Sequence, residues 1–543
     1  MRNAFSFELP PADYPNHLAL PEPERPHLPT ARRLLVLLIL LCLIPRAVTA
    51  WRLPCICIDG AIYVNTARAL EEGNFRGALM EGAINVYPVI LMALHQLGLG
   101  WETAGALWGV TISCLVLLPL WGLARRQFDD RVALVACLLY IVHPKFIQES
   151  PEVMRDATFW FLFMLSLYCM WRAITEVRYG YFIATGAAVT LAALTRVEGL
   201  FLLIPLALWT FWRWLALRTD RRKLLVGAVL CVMAFPLLLV LINAAILYQH
   251  LGVTTIRVSP LARVQPWLES IVGIDSNAGD DAAANHTPLG RMLWVFFPTM
   301  TRGLAPLFAL LMFGGIWGWR RVWARRDHQA LFCTAVVIMC GIWVQLWYDG
   351  NISRRYPLPI VLMASPLAAL GLLWSMDWVR RIGRWLGWQA QRQQTVAVLV
   401  MTGILVSGIG HAMTSKDAER RMAADVGQWV HSSFGTPPKM VGPSFMERIV
   451  RYYADESSYT SLRPNADDAA ILGLVAEQKP DVVILWPTKR LSSERCASLA
   501  ERMTPAGLRP IAPEALPEAA KRYIVLVRTN RLECARKPTP GRQ

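Results

Sequence analysis

Residues 181–216 read YFIATGAAVTLAALTRVEGLFLLIPLALWTFWRWLA, an apolar run interrupted at its middle by Arg196 and Glu198. A charged side chain at the centre of a lipid-embedded helix costs about 3 kcal/mol on insertion scales. The run is therefore read as two spans, 181–194 and 199–216, joined by the polar turn Thr195-Arg196-Val197-Glu198 at a membrane surface.

Working outward, further apolar segments lie at 34–50, 104–123, 132–147, 157–174, 224–247, 293–318, 329–347, 357–376 and 395–412. With the divided run they make about eleven spans, several of them shorter than the ~20 residues of a simple crossing. Charge supports the count. Arg125, Arg126 and Arg131, then Arg172 and Arg178, then Arg213 to Lys223, then Arg320 to Arg326, then Arg380 to Arg392 occupy alternate connectors. Loop 51–103, on the opposite side, carries only Arg52, Arg68 and Arg76. The positive-inside rule then places the N-terminus in the cytoplasm and the C-terminus outside. Reading 181–216 as a single span breaks this alternation downstream.

Composition agrees. Hydrophobic residues make up 55% of the 543 and charged residues 17%, with a mean hydropathy of +0.36. Soluble domains carry about 25% charged residues. The net charge of +16 is spread over short connectors, with no basic stripe interleaved with aromatics, which excludes a nucleic-acid partner. The eleven Cys show no zinc spacing. Cys55 and Cys57 are a bare pair in the outer loop. Cys496 and Cys534 are permitted a disulfide if their domain is extracytoplasmic.

Three regions follow. Residues 1–31, with seven prolines, read as a disordered cytoplasmic tail. The end of the first span, Val48-Thr49-Ala50, is also compatible with a cleaved signal, with the same orientation. Residues 32–412 read as a transmembrane domain that includes the outer loop 51–103. Residues 413–543 read as a small soluble extracytoplasmic α/β domain, with a helix at 416–432 and buried strands at 482–486 and 523–527.

Polar residues gather on the outer side. Asp59 opens an amphipathic stretch that includes Tyr63, and is read as a helix cap or a reactive carboxylate. Tyr87-Pro88 opens an interfacial helix. Glu152, Arg155 and Asp156 cluster at the outer end of the fourth span, where ionisable groups mark functional sites. Thr195-Arg196-Val197-Glu198 lies on the same face. Arg354 and Arg355, before Tyr356-Pro357, oppose the positive-inside trend and call for an anionic partner, either a lipid headgroup or a substrate phosphate, which Arg matches with its donor fork. The sequons at Asn285 and Asn351, and Trp347-Tyr348-Asp349-Gly350, carry little weight.

In order and sidedness these motifs resemble the GT-C superfamily of glycosyltransferases. The nearest likeness is to the bacterial protein O-mannosyltransferase-like proteins and the lipid A aminoarabinose transferases, over residues 30–376. Many members have two adjacent acids at the first motif, whereas Asp59 is followed here by Gly60. The resemblance implies sugar transfer from a polyprenyl-phosphate donor to a lipid, glycan or protein acceptor on the outer face. Asp59 and Asp156 would be the catalytic carboxylates and Arg196, Arg354 and Arg355 the phosphate-binding groups. Tyr63, Glu152, Arg155, Glu198 and Tyr356 would support them. No cofactor is certain, but either Asp is also a candidate ligand for a divalent metal ion. Two other classes fit less well. A transporter or flippase of lipid-linked sugars places polar groups at the bilayer midplane, often within repeats. A membrane scaffold gives no reason for the outer-face charges.

Overall fold

A computed structural model describes residues 28–247, 289–318 and 326–531, apart from short breaks at 54, 76, 79–84, 218–219, 351, 414–417, 435, 455–457, 463–465, 488–491, 518–520 and 522. Most of the tail, most of loop 248–292, both sequon asparagines and Cys534 lie outside the described residues.

The chain is an α-helical polytopic membrane protein with a small α/β domain. Its first helices are α1 (Leu28–Arg52), α2 (Ile58–Glu71), α3 (Val86–Gln96), α4 (Trp101–Leu115), α5 (Leu117–Gln127), α6 (Asp130–Val142), α7 (Pro144–Glu149), α8 (Asp156–Glu176) and α9 (Tyr179–Thr195). A 3-10 turn, Val197–Leu202, leads into α10 (Leu203–Ala216). Then come α11 (Arg221–Leu247), α12 (Leu289–Leu304), α13 (Pro306–Gly318), α14 (Arg326–Asp349), α15 (Leu358–Trp385) and α16 (Ala390–Ala412).

All eleven apolar segments are helical, but not all are simple crossings. Among the described residues seven helices are long and apolar enough to span a membrane, or eight if α12 and α13, bent by 86° to each other, count as one. The segment expected at 132–147 is broken. His143 precedes Pro144, which disfavours helical backbone, and it is extended at φ −65°, ψ 120°. The freed end of α6 is capped by Arg46 of α1, which donates to the Ile141 carbonyl at 3.3 Å and is fully buried. A cation suits a helix C-terminus.

Helices apolar on every side fill the centre and one-sided ones face lipid. In α8, Phe159, Trp160, Phe163 and Leu167 are buried. In α1 and α16, Leu37, Ile44, Leu399 and Val406 are exposed. Helix α13 packs closely on α15, because Gly315 and Gly371 face each other's backbone. Small residues let membrane helices approach in this way. Helix α8 also separates the two ends of the bundle. Asp156 stands at one end, while Arg172 and Glu176 pair at the other, about 30 Å away along the axis. Arg126, from the α5 end, joins them through Tyr168 at 2.6 Å.

The C-terminal domain begins with α17 (Ala418–Ser433) and carries a five-stranded sheet. Its elements are β1 (Met440–Pro443), α18 (Glu447–Tyr453), β2 (Tyr459–Leu462), α19 (Asp468–Gln478), β3 (Val482–Leu485), α20 (Ser493–Met503), β4 (Leu508–Pro510) and β5 (Ile524–Arg528). Strand order is β2-β1-β3-β5-β4, with β1 parallel to β2 and β3, and β5 antiparallel to β3 and β4. The two strands expected from sequence, β3 and β5, are the adjacent central pair. Cys496 is buried on α20 in the core of this domain.

A side chain at Gly371 would meet the Leu311 carbonyl, whereas one at Gly403 of α16 meets nothing within 4 Å. Gly371→Ala is expected to lower the thermal midpoint in detergent, at a cost of about 2 kcal/mol. Gly403→Ala should leave it unchanged or slightly raised, and a fluorescence melting series compares the two.

Candidate functional site

Helix α2 is capped at its start by Cys57, whose Sγ accepts from the Gly60 N–H at 3.2 Å. Cys57 rather than Asp59 is therefore the cap, and Asp59 is released into the first turn with its carboxylate about one third exposed. Cys55 instead packs into the core of the C-terminal domain, whereas the Cys57 thiol faces the Val153 carbonyl at 3.7 Å, so the two thiols point to different surroundings. Gly60, the position at which the sequence resemblance would place a second acid, has no space for one. A Cβ there would lie 2.9 Å from the Val153 carbonyl and 2.7 Å from Ile56 Cγ1.

The turn 150–155 presents Asp156 as the first residue of α8, fully buried. Across from it α9 stops at Thr195, because Arg196 is extended at φ −147°, ψ 138°. That break turns the Arg196 guanidinium onto Asp156 Oδ1, and its Nη2 and Nε donate to Glu198 Oε1 at 2.6 and 3.2 Å. The rings of Tyr356 and Phe159 lie 4.8 and 5.6 Å from it. Arg355, in the turn before α15, completes the series. Its Nη2 donates to Asp59 Oδ2 at 2.7 Å and its Nη1 to Asp156 Oδ2 at 3.3 Å. The outcome is one chain of alternating charge, Asp59–Arg355–Asp156–Arg196–Glu198, drawn from four distant segments.

Other expected residues surround it. Arg155 lies 5.8 Å from the Tyr63 ring and has no carboxylate partner among the described residues. Tyr63 stands edge-on to Tyr87 at 5.4 Å, and burial raises its phenol to about 12. Tyr356 accepts a hydrogen bond from Gln345 Nε2 at 2.8 Å. Glu152 does not join the chain and pairs instead with Arg420 of α17 at 2.6 Å. Arg354 is exposed and makes no contact with these carboxylates among the described residues.

Sequence reasoning missed Glu149, Lys145, Arg420 and Arg448. Burial raises the Glu149 carboxyl above its usual range, opposed by Lys145 at 3.7 Å and by Arg355. It ends α7, three residues before Glu152, and only its packing marks it. Arg448 of α18 approaches Asp59 Oδ1 at 3.9 Å. Nothing local separates Arg420 and Arg448 from ordinary surface arginines. Burial opposes charge on Arg355, but Asp156, Glu149 and Asp59 outweigh it and hold the guanidinium above the usual arginine value.

The divalent ion expected at Asp59 and Asp156 does not fit this arrangement. Arg355 already stands between the two carboxylates, bonded to both. No group of three or more His, Cys, Asp or Glu among the described residues is placed to hold a metal.

The bundle has the fold of solved GT-C glycosyltransferases. The sequence pattern of the dolichyl-phosphate-mannose-protein mannosyltransferases matches residues 86–241. Among solved structures the chain is similar to ArnT from Cupriavidus metallidurans bound to undecaprenyl phosphate, at 15% identity and TM-score 0.55, over 94% of this chain and 100% of that one. It is also similar to the archaeal oligosaccharyltransferase AglB from Archaeoglobus fulgidus, in complex with an inhibitory peptide and a dolichol-phosphate. There the identity is 14% and the TM-score 0.52, over 83% of this chain and 69% of that one. No curated protein matches by sequence.

Asp156 is buried between two guanidinium groups, whereas Asp59 is partly solvated. Breaking a buried pair costs about 3–5 kcal/mol, and an exposed one about 1 kcal/mol or less. Asp156→Asn is therefore expected to destabilise the folded protein strongly and Asp59→Asn hardly at all, as read by thermal unfolding of the purified variants.

Proposed function

We propose that this chain transfers a hexosyl or pentosyl unit from a polyprenyl-phosphate donor to an acceptor hydroxyl or amine at the extracytoplasmic face of a bacterial cell membrane. The observation that carries this reading is the alternating charge chain at one end of the bundle, with partly solvated Asp59 at its end and Arg155 against the Tyr63 ring. The dolichol-phosphate and undecaprenyl phosphate bound in the two similar structures support the donor class. Basic connectors at the opposite end support the sidedness, with the N-terminus cytoplasmic and residues 413–543 outside.

Each residue then has a task. Asp59 orients the acceptor group and takes its proton, as a carboxylate within reach of solvent can. The acceptor atom bonds to the anomeric carbon as the bond from that carbon to the phosphate oxygen breaks. Its electron pair leaves with the polyprenyl phosphate. Arg155 and Arg355, with exposed Arg354 beside them, supply fixed positive donors for the charge developing on that oxygen. Arg196 is committed to Asp156 and Glu198, so its task is to hold Asp156, which in turn holds Arg355. The lipid-facing spans would receive the isoprenoid tail.

Purified protein incubated with a panel of polyprenyl-phosphate sugars, followed by mass spectrometry of donor loss, tests the reading. Asp59→Asn is expected to lower turnover by about 100-fold or more. Arg155→Met should raise the donor KM about tenfold, as loss of a charge-assisted contact does. Full activity in both Asp59→Asn and Asp156→Asn would sink the assignment.

A further inference from the structure

The C-terminal domain meets the membrane domain at the residues that shape the site. Tyr453 of α18 donates to Glu102 Oε1 at 2.8 Å and accepts the Ile56 N–H at 3.2 Å. Burial and the neighbouring Glu102 raise its phenol, which keeps it a donor. Ile56 is two positions before Ile58, where α2 begins. Cys55, next in the chain, is packed into the domain core with Val426, Val450 and Ile484. Arg68 of α2 lies 5.3 Å from the Tyr452 ring, and Arg420 pairs with Glu152. The start of α2 is thus held by the domain on the same side as Arg448.

Asp59 lies between two guanidinium groups from different parts of the chain. Arg355 takes Oδ2 at 2.7 Å, and Arg448 stands 3.9 Å from Oδ1. One charge fixes a carboxylate's position but leaves it free to turn, whereas a second at the other oxygen also sets its plane. Arg448 remains half exposed, so it is not a core residue whose removal collapses the domain.

We infer that Arg448 is a positioning residue for Asp59, and that the C-terminal domain is through it a wall of the transfer site. This rests on the proposed role of Asp59. The domain then contributes to turnover without binding donor or acceptor through Arg448, and α18 sets the angle at which Asp59 meets the acceptor.

The test uses the full-length protein with Arg448→Met, Arg448→Lys and Arg448→Glu. Arg448→Met is expected to lower kcat about threefold to tenfold with donor KM within twofold, as loss of an orienting contact does. Arg448→Lys should restore most of that loss, and Arg448→Glu should be slower still. Thermal midpoints should stay within a few degrees, because the side chain is half exposed. A second readout needs no donor. Labelling of Asp59 by a water-soluble carbodiimide and an amine, scored by peptide mass spectrometry against Glu71 and Glu72, should rise in Arg448→Met. Wild-type turnover and labelling in Arg448→Met and Arg448→Glu would overturn the inference. So would a rise in donor KM matching the fall in kcat/KM, which would put Arg448 on the substrate. A wild-type protein inactive on every donor would instead count against the functional reading, with the labelling result still deciding the contact.

Discussion

Asp156 holds the site together. Its two oxygens face Arg196 and Arg355, so one buried carboxylate joins the broken end of α9 to the turn before α15. A buried charge is tolerated only when paired and hydrogen-bonded, and this one is paired twice. The requirement works in both directions. Arg196 is buried against Asp156 and Glu198, and Arg355 bonds Asp156 and Asp59 at once. A helical bundle has many ways to place its ends, and this ion chain selects one in which residues 59, 156, 196 and 355 meet.

The helices prepare that meeting by local means. Cys57 caps α2 and leaves Asp59 unburdened. Extended backbone at Arg196 converts what would be a continuous helix into a corner with a guanidinium at its tip. Gly60 allows the 150–155 turn to rest against α2, which brings Arg155 and Asp156 beside Tyr63 and Asp59. Each device is small, and each acts before any ligand arrives.

Much of this was readable in the sequence, for a physical reason. Charge is expensive in lipid, so Arg196 and Glu198 could not sit inside a span, and the divided reading of 181–216 followed. Sidedness then placed Asp59, Asp156, Arg196 and Arg355 at one surface. What was not readable depended on packing between distant residues. Arg354 and Arg355 are neighbours in sequence, yet one is exposed and the other bridges two carboxylates, and nothing in composition separates them. Glu152 belongs to Arg420, 268 positions away. Strand β3 is no longer than β1 and β2, but it is apolar throughout, as β5 is up to Arg528, because both lie inside the sheet, whereas Gly442, Ser461 and Arg509 interrupt β1, β2 and β4.

The lone acid in the first turn of α2 now has a structural reason. At Gly60 the backbone of α2 comes so close to the Val153 carbonyl that a second acidic side chain has no room. The first turn of α2 therefore presents one carboxylate, with no second acid beside it in sequence. Its environment comes from arginines on other segments, Arg355 from the membrane domain and Arg448 from the C-terminal domain. A site built in this way depends on the relative placement of the two domains more than one whose acids are adjacent in sequence. The contacts at Tyr453, Cys55 and Arg420 are arranged around this same carboxylate, where that placement matters most.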